Sequence, residues 1–298
     1  MKKVFITGSN GLLGQAMVKL FQQQYEIFGC DLSKEAIEEL PAPSRYIQLN
    51  LTGRTAVNRV FTVVKPDIII NTAAFTNVDK SESENESCWS ANVRSVENIL
   101  EACSTFSPIF IQISTDYVFD GSSPPYRETD TPKPLGYYGL SKFAAERALI
   151  NSKLEYIIAR TMILFGTGKQ VRLNFATWVI DQLVRKKRIR VVNDQVGNPT
   201  YVSDLAEAVS RLLQKEEYGL FHIAGNEVCN RYEFACKIAD VFNLDGSLID
   251  PIKTIELGQK ALRPMNSSFV LEKLENTLDW LPSKLSEALK RMKTRVRI

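Results

Sequence analysis

Short apolar runs punctuate the first 160 residues, at Val4-Phe5-Ile6, Glu26 to Cys30, Tyr46 to Leu49, Ile68-Ile69-Ile70, Ile109 to Ile113 and Tyr156 to Ala159. Between them lie longer segments in which apolar positions recur at helical spacing. Runs of Ile, Val and Phe with little polar alternation suit strands covered on both faces, and intervening helices imply right-handed crossovers. The pattern therefore predicts an α/β protein built on a doubly wound parallel sheet over residues 1–165. Beyond that point the rhythm changes. A helix is predicted over 172–187, a strand over 189–192, a turn at Gly197-Asn198-Pro199, and a further helix capped by Ser203 or Asp204. The last third offers a strand from Leu220 to Ala224, a helix from Asn230 to Phe242 and an amphipathic helix after Pro282. We expect 198–216 to return to the first unit, while 166–197 and 217–298 form a smaller mixed α/β substrate domain. The turn-rich stretch from Asp120 to Pro134 is expected to be a mobile loop.

Composition narrows the function. With 298 residues and 44% hydrophobic content, the chain can bury a sizeable core. No apolar run nears the roughly 18 residues of a membrane span, and Met1-Lys2-Lys3 leads directly into a strand, so no membrane association and a soluble cytoplasmic protein are expected. A net charge of +3 is too small to suggest a nucleic-acid partner. The basic runs Arg185 to Arg188 and Lys290 to Arg297 read as solvated helix ends. Five scattered cysteines without a Cys-x-x-Cys pair, and a single His222 within an apolar run, argue against a metal site and a disulfide framework. His222 reads as a structural strand residue.

Two local patterns carry chemistry. The first strand runs into Thr7-Gly8-Ser9-Asn10-Gly11-Leu12-Leu13-Gly14, and a helix follows at once. Glycines at Gly8, Gly11 and Gly14 allow a tight turn and close approach of backbone to a pyrophosphate held at a helix N-terminus. Asp31 ends the second strand 23 positions after Gly8, where a carboxylate would bind the adenosine ribose hydroxyls and favour NAD(H) over NADP(H). This context makes the sheet a dinucleotide-binding Rossmann domain. The candidate cofactor-binding residues here are Gly8, Asn10, Gly11, Leu12, Leu13, Gly14 and Asp31.

The second pattern is Tyr138-Gly-Leu-Ser-Lys142, a phenol and an ammonium one helical turn apart. A nearby cation stabilises a phenolate, so Lys142 is expected to lower the pKa of Tyr138 for general acid-base work. Thr115, at the carboxyl end of the fifth strand, could donate a hydrogen bond to a carbonyl oxygen as it gains charge.

With these elements in place, the chain resembles the extended short-chain dehydrogenase/reductases, and within them the dTDP-4-dehydrorhamnose reductase family. The resemblance rests on Asn71-Thr-Ala-Ala74 with Val78-Asp79-Lys80, Ser114 to Gly121, Tyr138 to Lys142, Asp194-Gln195 with Pro199-Thr200, and Arg263-Pro264-x-Asn266-Ser267. It implies that Tyr138 is the proton donor, Lys142 a ligand of the nicotinamide ribose, and Thr115 the group orienting a ketone. Ala73 and Ala74 would pass near the cofactor. Asp116 and Tyr117 would flank the sugar, and Asn174 and Arg263 would contact the nucleotide side, Arg263 pairing with the diphosphate or with Asp116. The implied substrate is a nucleotide-linked 6-deoxy-4-keto sugar, most closely dTDP-4-dehydro-L-rhamnose. One departure is visible: Arg160-Thr-Met-Ile163-Leu-Phe165 puts Ile163 where the family commonly has a tryptophan.

Alternatives on the same scaffold are an NDP-sugar 4-epimerase and a non-catalytic cofactor-binding subunit like that of methionine adenosyltransferase. A 4,6-dehydratase is disfavoured because Tyr117, not a glutamate, follows Asp116. The oligomeric state stays open, a homodimer included.

Overall fold

The computed structural model describes residues 1–296. The chain opens with β1 (Lys3–Thr7), α1 (Leu12–Phe21), β2 (Glu26–Asp31), β3 (Arg45–Gln48), α2 (Arg54–Val64) and β4 (Ile68–Asn71). Two short helices, α3 (Val78–Ser81) and α4 (Asn85–Trp89), lead through a π-helical turn at Ser90–Arg94 into α5 (Ser95–Ala102). Then come β5 (Ile109–Thr115), α6 (Tyr137–Ile150), β6 (Tyr156–Thr161), β7 (Leu164–Phe165) and α7 (Phe175–Val184). The remainder holds β8 (Ile189–Val192), β9 (Val196–Gly197), β10 (Thr200–Tyr201), α8 (Val202–Gln214), β11 (Gly219–His222), β12 (Cys229–Asn230), α9 (Arg231–Phe242), β13 (Ile249–Ile252), α10 (Glu272–Leu278) and α11 (Leu285–Lys293).

The main sheet has seven parallel strands in the order β11-β6-β5-β4-β1-β2-β3. The central strands are buried on both faces, which explains their unbroken apolar runs, whereas the edge strand β3 is half-exposed. On β1, Val4 and Ile6 join one core with Ile27, Ile70 and Ile111, while Phe5 joins the other with Phe28, Ile69 and Phe110. Order reverses between β1 and β4, so the carboxyl ends of these strands open a crevice there, the position at which such sheets hold ligands.

Three expectations need correction. The apolar run near Leu220, grouped above with the second unit, is β11 and pairs in parallel with β6 at the edge of the main sheet. Its buried faces had no other sheet large enough to receive them. The core on that side also continues without a break from the sheet into Phe234, Ile238 and Leu289, so the two units share one interior. The helix α8 is not side-chain capped: its N-cap is Tyr201, and Asp204 instead lies buried, accepting from Ser283 N and pairing with Arg291. Finally, the 120–134 stretch is tied down. Tyr126 is buried, donates its amide to Ser268 O and its hydroxyl to Asp120, and accepts from Val270 N. Glu128 accepts from His222 N.

Other expectations hold. The 172–187 helix is shorter than predicted because Asn174 caps it through Thr177. α8 packs on α1. His222 is fully buried, hydrogen-bonded through Nδ1 to Tyr126 O and stacked on Phe269, and burial holds its pKa well below the usual imidazole value. Arg185 and Arg188 pair with Asp181 and Asp250 near the end of α7. Arg297 of the C-terminal basic run lies outside the described residues. No helix among the described residues is long and apolar enough to cross a membrane.

Candidate active site

A cleft of about 860 Å³ runs along the carboxyl edge of the sheet. Its floor at one end is the glycine turn. Gly8 has φ +63°, and a Cβ there would come within 2.9 Å of Ala73 N. At Gly14 a Cβ would sit 2.0 Å from Gly8 O, so the helix can approach the strand only without a side chain. Gly11 is the N-cap of α1 and offers no side-chain cap, leaving the first amides of that helix free to meet an anion. Leu12, Leu13, Ala73 and Ala74 line the same end. A dinucleotide therefore fits this cradle: the turn presents backbone where any Cβ would intrude.

Behind it, a buried network fixes the strand ends. Thr7 Oγ1 bonds Asn71 Oδ1 (2.5 Å), Asn71 donates to Gln112 (2.8 Å), and Ala73 N donates to Thr7 (3.2 Å). Asp31 lines the cleft and accepts from Leu32 N (2.7 Å) and Asn10 N (3.3 Å). Asn10 lines it too, but its side chain is committed elsewhere. It donates to Ser33, Glu35 O and Tyr46 and accepts from Ile37 N, folding the segment after Asp31 against the turn.

The reactive groups meet midway along the cleft. Tyr138 and Lys142 lie on the first turns of α6, and Thr115 ends β5. All three line the cleft. Thr115 also donates to Asp116 (3.1 Å) and accepts from Tyr117 N (3.2 Å). Gly139 lets α6 lie against the loop after β5, since a Cβ there would fall 2.1 Å from Tyr117 O. Lys142 donates to Ile113 O at 2.6 Å.

The expected lowering of the Tyr138 pKa is not what this arrangement gives. Burial pushes the phenol well above its usual value and the Asp116 carboxylate adds to the rise. The ammonium is spent on a backbone carbonyl. Burial brings Lys142 down to about 8, opposed by Glu146. A protonated phenol throughout the neutral range is the state a proton donor needs.

At the far end the expected contacts are partly rearranged. Asp116 is buried, accepts from Ser267 (2.6 Å), and burial raises its pKa. It makes no ion pair with Arg263. Instead Arg263 forms a two-pronged pair with Asp79, both bonds 2.9 Å, and Asp79 is held below the usual carboxylate range by that contact. Arg263 is absent from the cleft lining. Tyr117 lines the cleft, its ring edge-on to Tyr138 at 5.6 Å. Asn174 borders the cleft, yet its side chain accepts from Thr177 N and donates to Gly166 O. Ile163 faces the cleft with φ +46°, a strained conformation for a β-branched residue.

Two residues were not anticipated. Arg231, first residue of α9, lines the cleft with its guanidinium over the Phe175 ring at 5.3 Å, and burial lowers its pKa. A lone arginine at a helix start gives no periodic signal, so only the fold could find it. Asn92, in the π-helical turn, exchanges hydrogen bonds with Phe75 N (2.8 Å) and O (3.2 Å) and donates to Ser141 (2.9 Å), pinning the wall after Ala74 to α6.

The family model described as RmlD substrate binding domain matches residues 1–298. The chain is 33% identical to a dTDP-4-dehydrorhamnose reductase of Aggregatibacter actinomycetemcomitans, covering 98% of this chain and 99% of that one. It is 34% identical to methionine adenosyltransferase 2 subunit beta of Bos taurus, over 92% of this chain and 82% of that one. The crystal structure of dTDP-4-dehydrorhamnose reductase from Bacillus anthracis in complex with NADP superposes with a TM-score of 0.90 at 32% identity, over 99% of this chain and 100% of that one.

Proposed function

This chain belongs to the RmlD substrate binding domain family, and on that premise we propose that it is an NAD(P)H-dependent oxidoreductase reducing the C4 ketone of a nucleotide-linked 6-deoxy-4-keto sugar, dTDP-4-dehydro-L-rhamnose foremost. The observation that carries the reading is the meeting of Thr115, Tyr138 and Lys142 beside the glycine cradle. NADH or NADPH, when bound, supplies the hydride. Gly8, Gly11 and Gly14 admit the pyrophosphate, with the first amides of α1 facing it. Asp31 stands where the adenosine ribose would lie, and Lys142 at the nicotinamide ribose. Thr115 orients the ketone, and Tyr138, held protonated by burial, delivers its proton to the carbonyl oxygen as charge develops. Arg231 replaces Arg263 as the cation for the substrate diphosphate, because Arg263 is held by Asp79.

A second reading, a coenzyme-binding partner protein without turnover, is supported by the equal similarity to the methionine adenosyltransferase beta subunit. The intact triad favours catalysis. The deciding assay follows NADH and NADPH oxidation at 340 nm with enzymatically generated dTDP-4-keto-L-rhamnose. Turnover is expected to fall at least ~100-fold in Tyr138→Phe while coenzyme affinity is retained. A fully active variant removes Tyr138 as donor, and tight coenzyme binding with no turnover of any keto sugar favours the partner-protein reading.

A further inference from the structure

We propose that Glu146 is a positioning residue for this reaction, holding Lys142 and the Thr115 strand end in mutual register through Ser114 and Arg160 and keeping a compensating charge beside the lysine. The inference rests on the reductase reading, but one arm of its test, coenzyme binding against pH, needs no turnover.

Glu146 follows Lys142 by one helical turn on α6 and is fully buried. One of its oxygens accepts from Ser114 Oγ (2.5 Å) and from Arg160 Nε (2.9 Å), and the other accepts from Arg160 Nη2 (2.7 Å). Lys142 meanwhile donates to Ile113 O. Two side chains of one helix face thus grip consecutive residues, Ile113 and Ser114, immediately before Thr115. Arg160 is the cross-strand neighbour of Ser114 in the β5–β6 register, so the carboxylate locks three elements together. A slip of α6 along β5 would carry Tyr138 away from Thr115.

The pair is poorly suited to a purely structural role. Buried ion pairs contribute little net stability compared with apolar residues of similar volume. Here Arg160 Nη1 is buried without a partner, as is Nε2 of His222, the residue opposite Arg160 in the β11–β6 register. Electrostatically, the groups facing Lys142 are Glu146 and Tyr138 from its own helix, Cys88 from α4 and the Ile113 carbonyl from β5. Glu146 is the carboxylate that opposes the fall in its pKa caused by burial. Arg160 faces Glu146 from β6, and His222 faces Arg160 from β11.

The test is the double variant Glu146→Leu/Arg160→Met in the full chain, compared with the parent by thermal unfolding, NADPH fluorescence titration from about pH 6 to 10, and steady-state reduction of dTDP-4-keto-L-rhamnose. The parent's NADPH affinity is expected to fall off as Lys142 loses its proton near pH 8. In the variant that limb moves toward acid by about half a pH unit or more. We expect kcat to drop ~10-fold or more with sugar KM within about threefold, the signature of lost alignment. A folded variant with the limb and kcat unmoved overturns the proposal, as does a parent with no limb between about pH 7 and 9. If the double variant does not fold, Glu146→Gln, which keeps the size and the Ser114 acceptor but removes the charge, is read on the same limb with the same two outcomes. A limb that moves in a protein that reduces no keto sugar sinks the sugar assignment and leaves the role of Glu146 standing.

Discussion

The two ends of the cleft are built by different means. At the coenzyme end the shape is made by main chain: Gly8, Gly11, Gly14 and Ala73 lie within one turn and one neighbouring strand end, and a Cβ added at Gly8 or Gly14 collides with backbone. At the end proposed for the substrate the walls are side chains from four segments, Asp116 and Tyr117, Ile163, Asn174 and Arg231. Backbone geometry has few solutions, so the first end is written in spacing. Side chains have a choice of partners, so at the second end the pairing depends on the folded whole.

This contrast can be broken by substitution. The largest effect is expected from Gly14→Ala, because its methyl would sit 2.0 Å from Gly8 O and force strand and helix apart. NADPH affinity by fluorescence titration should fall ~100-fold, a loss of about 2.8 kcal/mol. Near-parental affinity would mean that the turn tolerates side chains and is not the pyrophosphate cradle. Next in size is the arginine exchange. Arg231→Ala should raise the KM for the sugar nucleotide ~10-fold or more, in line with a charge-assisted bond of about 1.5–3 kcal/mol, and leave coenzyme binding alone. Arg263→Ala should lower Tm by freeing Asp79, with a smaller change in KM. The reverse ranking of the two KM values would return the diphosphate to Arg263. Smallest is Asp31→Ala, which should weaken NADH a few-fold, about 3 to 10, and NADPH less. Equal losses would show that Asp31, already accepting two backbone amides, does not read the ribose.

What is legible in the sequence follows the same division. The six apolar runs of the first 160 residues are all parallel strands, because burial on both faces of the central ones, and β-rich composition in the edge strand β3, leave a pattern that needs no partner to be read. The glycine turn and the Tyr138 to Lys142 spacing were equally local. β11 was assigned to the wrong unit because an edge strand looks the same in sequence whichever sheet receives it. Arg263 was given the wrong partner because Asp79 lies 184 residues away and nothing local ties the two together. The Tyr138 pKa was misjudged in direction because spacing reports the nearby lysine but not burial or the Asp116 carboxylate, which outweigh it. Asn10 illustrates a subtler case: it lies in the turn as expected, but its side chain braces the segment after Asp31.

The bond between Asp116 and Ser267 also sets a clock on biosynthesis. It spans 151 residues of chain, so at a synthesis rate of about 5–20 residues per second the first partner waits roughly 8–30 s for the second. Before that interval closes the glycine turn and the Tyr138 helix both exist as peptide, while Ser267 has not been made. A nascent chain can thus carry every residue of the coenzyme cradle before it has the means to finish the wall opposite.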